Sequence, residues 1–166
     1  TTDLLTTSLA LSPSALTLLV QADFADRNVT GRSDSSLSVF VQNFGLWSTR
    51  LRVPRTAFYP APGVDSALIQ MEPRGAGTFC APSVLQDVLR KSFHARRKKV
   101  ANSWKNAPGR LDANQLAVAA AAVGIDDQLR ADEIPPESYF ALVNWIDRHP
   151  VDTERPFDGR HDPDSS

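Results

Sequence analysis

The run ALTLLVQ, Ala15 to Gln21, constrains the fold of this chain most. It follows Ser12 and Pro13, is rich in branched apolar side chains, and suits a strand buried on both faces. Such a strand needs structure packed above and below it, which predicts a three-layer α/β arrangement. Thr1 to Leu11 reads as a helix with Leu4, Leu5 and Leu9 on one side, and Phe24 to Arg27 begins a short helical turn. Gly31 to Ser36 is a polar loop, after which Leu37, Phe40, Val41 and Phe44 fall at the spacing of a helix face. From Gly45 the period changes to two. Trp47, Thr49, Leu51 and Val53 alternate with Ser48, Arg50 and Arg52, the pattern of a half-buried strand. The Pro-rich FYPAPG turn leads into a second strand, VDSALIQM, and the short connection predicts an antiparallel pair.

Residues 75–82 read as a linker closing a first unit of residues 1–74, and the pattern beyond is helical. Ser83 is placed to cap a helix carrying Val84, Leu85, Val88, Leu89 and Phe93. Asp112 is placed to cap LDANQLAVAAAAV, which stops at Gly124. Pro136 stands near the start of a helix with Tyr139, Phe140, Val143 and Ile146 inward. A helical domain over residues 83–148 follows, and residues 149–166, rich in Pro, Asp, Arg and Ser, are expected to be a disordered tail.

Charge is segregated along a chain whose formal total is only −1. Residues 1–89 hold six bases and seven acids; residues 90–105 hold seven bases and no acid. From Gly124 onward there are eleven acids and four bases. Read as a helix, KSFHARRKKVANSW and its flanks place Arg90, His94, Arg97 or Lys98, and Lys105 along one side. Phe93, Val100 and Trp104 then lie on a neighbouring face that can anchor in a core. Uncompensated cations repel one another, and a polyanion relieves that cost. Five phosphate contacts would give a log–log salt slope of about −3.5 to −4.5. The alternatives are an internal partner in the acidic block, or a solvated face with no partner.

The sole cysteine, Cys80, excludes an internal disulfide and suits a reducing compartment; inert packing is its expected role. His94, His149 and His161 are too scattered for a metal set. No apolar run reaches membrane-spanning length, which predicts a chain of the cytoplasm or of an organelle matrix, with no membrane partner.

Four stretches in order resemble the ribosomal RNA adenine N6,N6-dimethyltransferases of the KsgA type. QADFADR is similar to that family's Q-K-E-x-A-x-R, and FYPAPGVDSALIQMEP to its F-x-P-x-P-x-V-x-S pattern. FHARRKKVANS is similar to F-x-x-R-R-K-x-x-x-N, and GIDDQLRADEI to G-I-D-x-x-x-R-x-E-x-L. The resemblance covers residues 1 to about 148. It implies the C-terminal half of a Rossmann-like class I methyltransferase sheet followed by a small all-α domain.

It further implies that Phe58 stacks on the target adenine, held by a loop that Pro60 and Pro62 stiffen. Taking a base out of its stack is costly, and an exposed aromatic offsets part of that cost. Arg90, Lys91, Arg96, Arg97, Lys98, Lys99 and Asn102 become the substrate-binding set on small-subunit ribosomal RNA. Asp65 and Ser66 are read as groups that hold the turn. Ala22 stands where the family usually has Lys, Ser35 and Ser36 where Gly-Arg usually precedes Leu-Ser, and Lys99 where Thr is common.

The family's donor is S-adenosylmethionine, bound on a Gly-rich loop after the first strand, and an N-x-P-Y motif receives the target amine. Neither pattern occurs in this chain, where Gly31-Arg32 and Gly75 to Gly77 do not join a strand to a helix in the required way. The strand at Ala15 to Gln21 also lacks upstream strands to cover its other edge. The expectation is part of a larger methyltransferase, inactive alone, partnered by the missing N-terminal half. The competing expectations are a non-catalytic RNA-binding or ribosome-assembly module, and a large-subunit methyltransferase of the macrolide-resistance type.

Overall fold

The computed structural model describes residues 5, 7–9, 15–73 and 77–150. The helix expected at Thr1 to Leu11 falls largely outside them; Leu5, Thr7, Ser8 and Leu9 are helical, and Leu5 and Leu9 are buried. The tail beyond Pro150, with His161, also lies outside the described residues.

The chain runs β1 (Leu16–Gln21), α1 (Ala22–Asn28), α2 (Ser36–Gln42), β2 (Gly45–Val53), a 3-10 turn (Arg55–Ala57) and β3 (Ser66–Pro73). Four helices follow: α3 (Pro82–Ser92), α4 (Val100–Asn106), α5 (Ala113–Ala122) and α6 (Pro136–Arg148). The three strands form one sheet in the order β1-β3-β2, with both outer strands antiparallel to β3. The expected β2–β3 pair is therefore present. The expectation that β1 is buried on both faces needs correction: it pairs antiparallel with β3, and among the described residues only one of its faces is covered. Leu16, Leu18 and Val20 lie in register with Met71, Ile69 and Ala67 on the covered face, while Leu19 is 51% exposed on the other. Helix α1 packs Ala25 and Phe24 on that covered face with Val20, Ala67 and Ile69.

β2 departs from simple alternation at a bulge between Thr49 and Leu51. Thr49 pairs with Ile69, but Leu51 pairs with Leu68, so Arg50 is skipped and the faces exchange. Leu51, expected inward, is 57% exposed, and Arg52 turns to the α1 side, where it binds Asp26. That guanidinium holds the Asp26 carboxyl below its ordinary pKa, chiefly through the hydrogen bond. Gly45 opens β2 where a Cβ would run into the Glu72 carbonyl and the Met71 sulfur.

The expected helices past residue 82 are present with two adjustments. α3 begins at Pro82, which needs no N–H at a first helical position, so exposed Ser83 lies inside the first turn and caps nothing. α5 is capped as expected: Asp112 accepts from Asn114 N at 2.9 Å and Gln115 N at 3.3 Å. Gly124 follows it with φ +74°, the left-handed stop that favours glycine. In α6, Tyr139, Phe140, Val143 and Ile146 are buried as the spacing requires.

One apolar cluster joins the two halves: Leu5, Leu9, Val39, Val41 and Met71 meet Leu85, Leu89, Trp104, Leu116 and Leu142. The segment read as a linker crosses between them under tight control. Asn43, fully buried after α2, accepts from Cys80 N at 2.9 Å and donates to Cys80 O at 3.0 Å. Phe79 N donates to Asn43 O at 3.1 Å. The Cys80 thiol donates to the same amide oxygen at 3.3 Å, and burial pushes its pKa up to about 12. No helix among the described residues is long and apolar enough to cross a membrane.

Replacing Asn43 by Ala strands two buried backbone groups of Cys80. The variant should lose about 1–3 kcal/mol of stability, read as a lower urea midpoint at unchanged slope. Cys80, protonated throughout the neutral range, should resist iodoacetamide at pH 8 in the folded protein and react promptly in urea.

Candidate nucleic-acid interface

The basic segment is not one helix. α3 ends at Ser92, residues 93–97 form turns, and α4 begins at Val100. The expected continuous cationic stripe is replaced by a cationic turn between two helices packed on each other. The cause is a set of buried polar bonds. Lys91, only 5% exposed, donates from Nζ to Ala107 O at 3.0 Å and to Trp104 O at 3.3 Å, at the far end of α4. Ser103 Oγ donates to Lys91 O at 2.8 Å and accepts from Ala95 N at 3.0 Å. Trp104 Nε1 donates to Ser92 Oγ at 2.9 Å. Lys91 therefore holds the turn from inside and does not face a substrate, which corrects its place in the binding set.

The other predicted cations lie outside. Arg96, Arg97, Lys98, Lys99 and Lys105 are exposed, and among the described residues none of them makes an ion pair. Arg96 donates to the backbone carbonyl of Asp34 at 2.5 Å, tying the turn to the Gly31–Ser36 loop. Lys99 donates to Gln128 Oε1 at 2.8 Å. Arg90, on the last turn of α3, is neutralised by Asp87 at 2.5 Å. Asn102 is exposed on the first turn of α4.

The acidic block approaches the turn through its backbone. Val100 N donates to Leu129 O at 2.8 Å, Ala101 N donates to Asp127 O at 3.2 Å, and Lys99 forms a β-bridge with Arg130. That bridge adds exposed Arg130 to the ridge, a residue the charge count placed among acids. The R of the G-I-D-x-x-x-R segment was the available signal. Of the residues that set the turn, Trp104 was legible only as an apolar anchor and Ser103 not at all.

Phe58 lies elsewhere, beyond the 3-10 turn, and is half-buried; its neighbour Tyr59 is fully exposed. Tyr59–Pro60 is a cis peptide, and Pro60 and Pro62 are both exposed. Asp65 holds this loop as expected: its Oδ1 accepts from Arg55 N at 2.9 Å, and its backbone carbonyl accepts from Ala22 N at 2.9 Å. Between α1, the end of β2 and the loop lies an open polar hollow of about 510 Å³ bearing Asp23, Asp26, Asp65, Arg52 and Arg55.

Among the described residues no group of His, Cys, Asp and Glu can hold a metal ion. His94 is exposed, and His149 stacks on Trp145 with centroids 4.2 Å apart. The β1–α1 junction is Gln21-Ala22, with no glycine at the turn.

The model of the family described as ribosomal RNA adenine dimethylase matches residues 1–148. The ribosomal RNA small subunit methyltransferase A of Pseudoalteromonas translucida is 33% identical over 133 residues, covering 77% of this chain and 47% of that protein. Its counterpart in Synechococcus sp. is 34% identical over 135 residues, covering 79% and 47%. The chain thus spans about half the length of the curated relatives it matches. Among solved structures, a dimethyladenosine transferase from Plasmodium falciparum superposes with TM-score 0.67 at 18% identity, covering 81% of this chain and 58% of that one. The 23S rRNA methyltransferase ErmE superposes with TM-score 0.54 at 22% identity, covering 81% and 55%. These likenesses place the strands and helices in the Rossmann-like methyltransferase fold, and the family match over residues 1–148 makes the chain a member of the ribosomal RNA adenine dimethylase family.

Proposed function

We propose that this chain is the RNA-gripping part of an S-adenosylmethionine-dependent enzyme that dimethylates N6 of adenines in small-subunit ribosomal RNA. One observation carries the reading: Arg97, Lys98 and Lys99 project together from a turn that buried bonds hold open, and no acid answers them among the described residues. Like charges fixed side by side favour a polyanion over water. Arg96 precedes them in the chain and Arg130 is bridged to Lys99, which adds two cations to the strip. Relatives above 30% identity named for the small subunit support that substrate over the large-subunit alternative.

The chemistry requires an unstacked adenine, because its amino group is buried and paired within a duplex. Phe58, half-buried at its base and held by the Asp65-braced loop, offers a ring face on which such a base can stack. Phosphates gripped on the turn fix the strand, and stacking at Phe58 fixes the base. Positioning of this kind is the main contribution that substrate-binding groups make to a methyl transfer. The donor supplies an electrophilic methyl group when bound. We assign its site outside this chain, whose sequence lacks the Gly-rich loop expected of it, and we assign the assembled protein to the cytoplasm or an organelle matrix.

A ribosomal RNA fragment with unpaired adenines should bind this chain with a steep salt dependence. Arg97→Ala and Lys98→Ala should each flatten the log–log slope by roughly 0.7–0.9. Lys91→Met should leave the slope unchanged while lowering stability by about 1–3 kcal/mol. Phe58→Ala should weaken binding by about 1–3 kcal/mol at unchanged slope. A slope untouched by the Arg97 and Lys98 changes removes the basic turn from the interface. In calorimetry the chain alone should bind S-adenosylmethionine no more tightly than adenosine; a distinctly tighter saturable isotherm would place the donor site within it.

A further inference from the structure

A cleft of about 340 Å³ lies between the end of α1, the start of β2 and α6, and Phe58 is not among its lining residues. Its size suits one small planar ligand. Trp47, Phe79 and Phe140 line it, and the last two rings stack nearly parallel, 5.4 Å apart and 9° from coplanar. Flat aromatic walls favour a flat guest.

The polar groups narrow the guest further. Trp47 Nε1 donates to Val41 O at 2.8 Å, and Asn144 Nδ2 donates to Phe79 O at 3.1 Å. Gln42 Nε2 donates to Ser38 O at 2.7 Å and Arg32 O at 3.0 Å. Asn28 Nδ2 donates to Phe24 O at 2.9 Å, and its Oδ1 accepts from Ser35 Oγ at 2.9 Å. Each of these side-chain nitrogens is thus engaged by the protein itself at least once. The acceptors on offer are the amide oxygens of Gln42 and Asn144, and the carboxylate of Glu137, exposed on the first turn of α6. An acceptor-rich cleft with a carboxylate disfavours phosphate and takes a ring that donates N–H.

The cleft also has a defined neighbour. Gly31 lines it, and Asp34 of the same loop accepts the hydrogen bond from Arg96 of the basic turn. We infer that the cleft walled by Trp47, Phe79 and Phe140, with Glu137 at its mouth, binds an aminated nucleobase, a second base site separate from Phe58. Only the source of the base in bound RNA rests on the function proposed above; the cleft's chemistry does not.

The test is a titration of the chain with adenosine and with purine riboside, which keeps the rings and lacks the amine, following the indole N–H resonances. Adenosine should move the Trp47 signal and leave that of buried Trp104 in place. Purine riboside should bind roughly tenfold more weakly, the loss expected for one hydrogen bond to a charged acceptor. Glu137→Ala should bring adenosine down to the level of purine riboside. Ala141→Phe, at an exposed lining position, should abolish the shift at unchanged Tm. An unmoved Trp47 signal, equal binding of the two nucleosides, or indifference to Ala141→Phe overturns the inference.

A short oligoadenylate separates the sources. Tighter binding than adenosine, weakened by Lys98→Ala, assigns the cleft to a base of bound RNA; equal binding assigns it to a free nucleoside. Should ribosomal RNA binding lack its salt dependence while adenosine still moves Trp47, the basic-turn reading fails and the cleft stands.

Discussion

Lys91 lies between α3 and α4 with its ammonium on the carbonyls of Trp104 and Ala107. Taking an ammonium out of water costs several kcal/mol, and hydrogen bonds to a charged group return about 1.5–3 kcal/mol each. The balance is met because the carbonyls at a helix C-terminus are unpaired and carry the negative end of its dipole. Once that bond is made, α4 must fold back along α3, and Ser103 and Trp104 complete the fit through Lys91 O and Ser92 Oγ. Residues 93–99 cannot continue either helix and are forced outward. Placing Arg96 to Lys99 in solvent follows from burying the lysine five residues earlier.

This explains why the basic segment was legible as a concentration of charge but not as a shape. Phe93, Val100 and Trp104 recur at helical spacing, and all three do pack against the core. The break between the helices depends on bonds spanning 12 to 16 residues, which no local period records. Features set within a few residues were legible: the cap at Asp112, the stop at Gly124, the start near Pro136 and the inward face of α6. The bulge in β2 was not, because alternation read from sequence assumes a constant register. Arg130 was assigned to an acidic block by sequence neighbours and reaches the cations through a backbone bridge.

The sheet shows the same division between local and distant causes. Leu16, Leu18 and Val20 meet the covered face, where Ala67, Ile69 and Met71 of β3 are almost wholly buried. On the other face Leu19 and Leu51 both stand in register with Leu68, and both are more than half exposed. A leucine row across three strands is what a further layer would cover, so the sequence reading of burial on both faces described the demand of the strand. The described residues meet half of that demand. The same bulge that turns Leu51 outward turns Arg52 to Asp26, so one irregularity both bares the leucine and braces α1 beside the Pro-rich loop.

The acidic residues near the basic turn might be expected to quench it, and their geometry prevents this. Asp127 and Leu129 meet α4 through carbonyls, and Asp126 turns its carboxylate to Gln128 N at 2.9 Å. Glu133 gives its carboxylate to Arg130 N at 2.7 Å, leaving the Arg130 guanidinium beside Lys99. Each of these acids is engaged in shaping its own turn. The segment can therefore be rich in carboxylates, as solubility favours, and still dock on a cationic partner by backbone alone. Net charge near zero and a locally unneutralised ridge coexist because the acids answer N–H groups rather than cations.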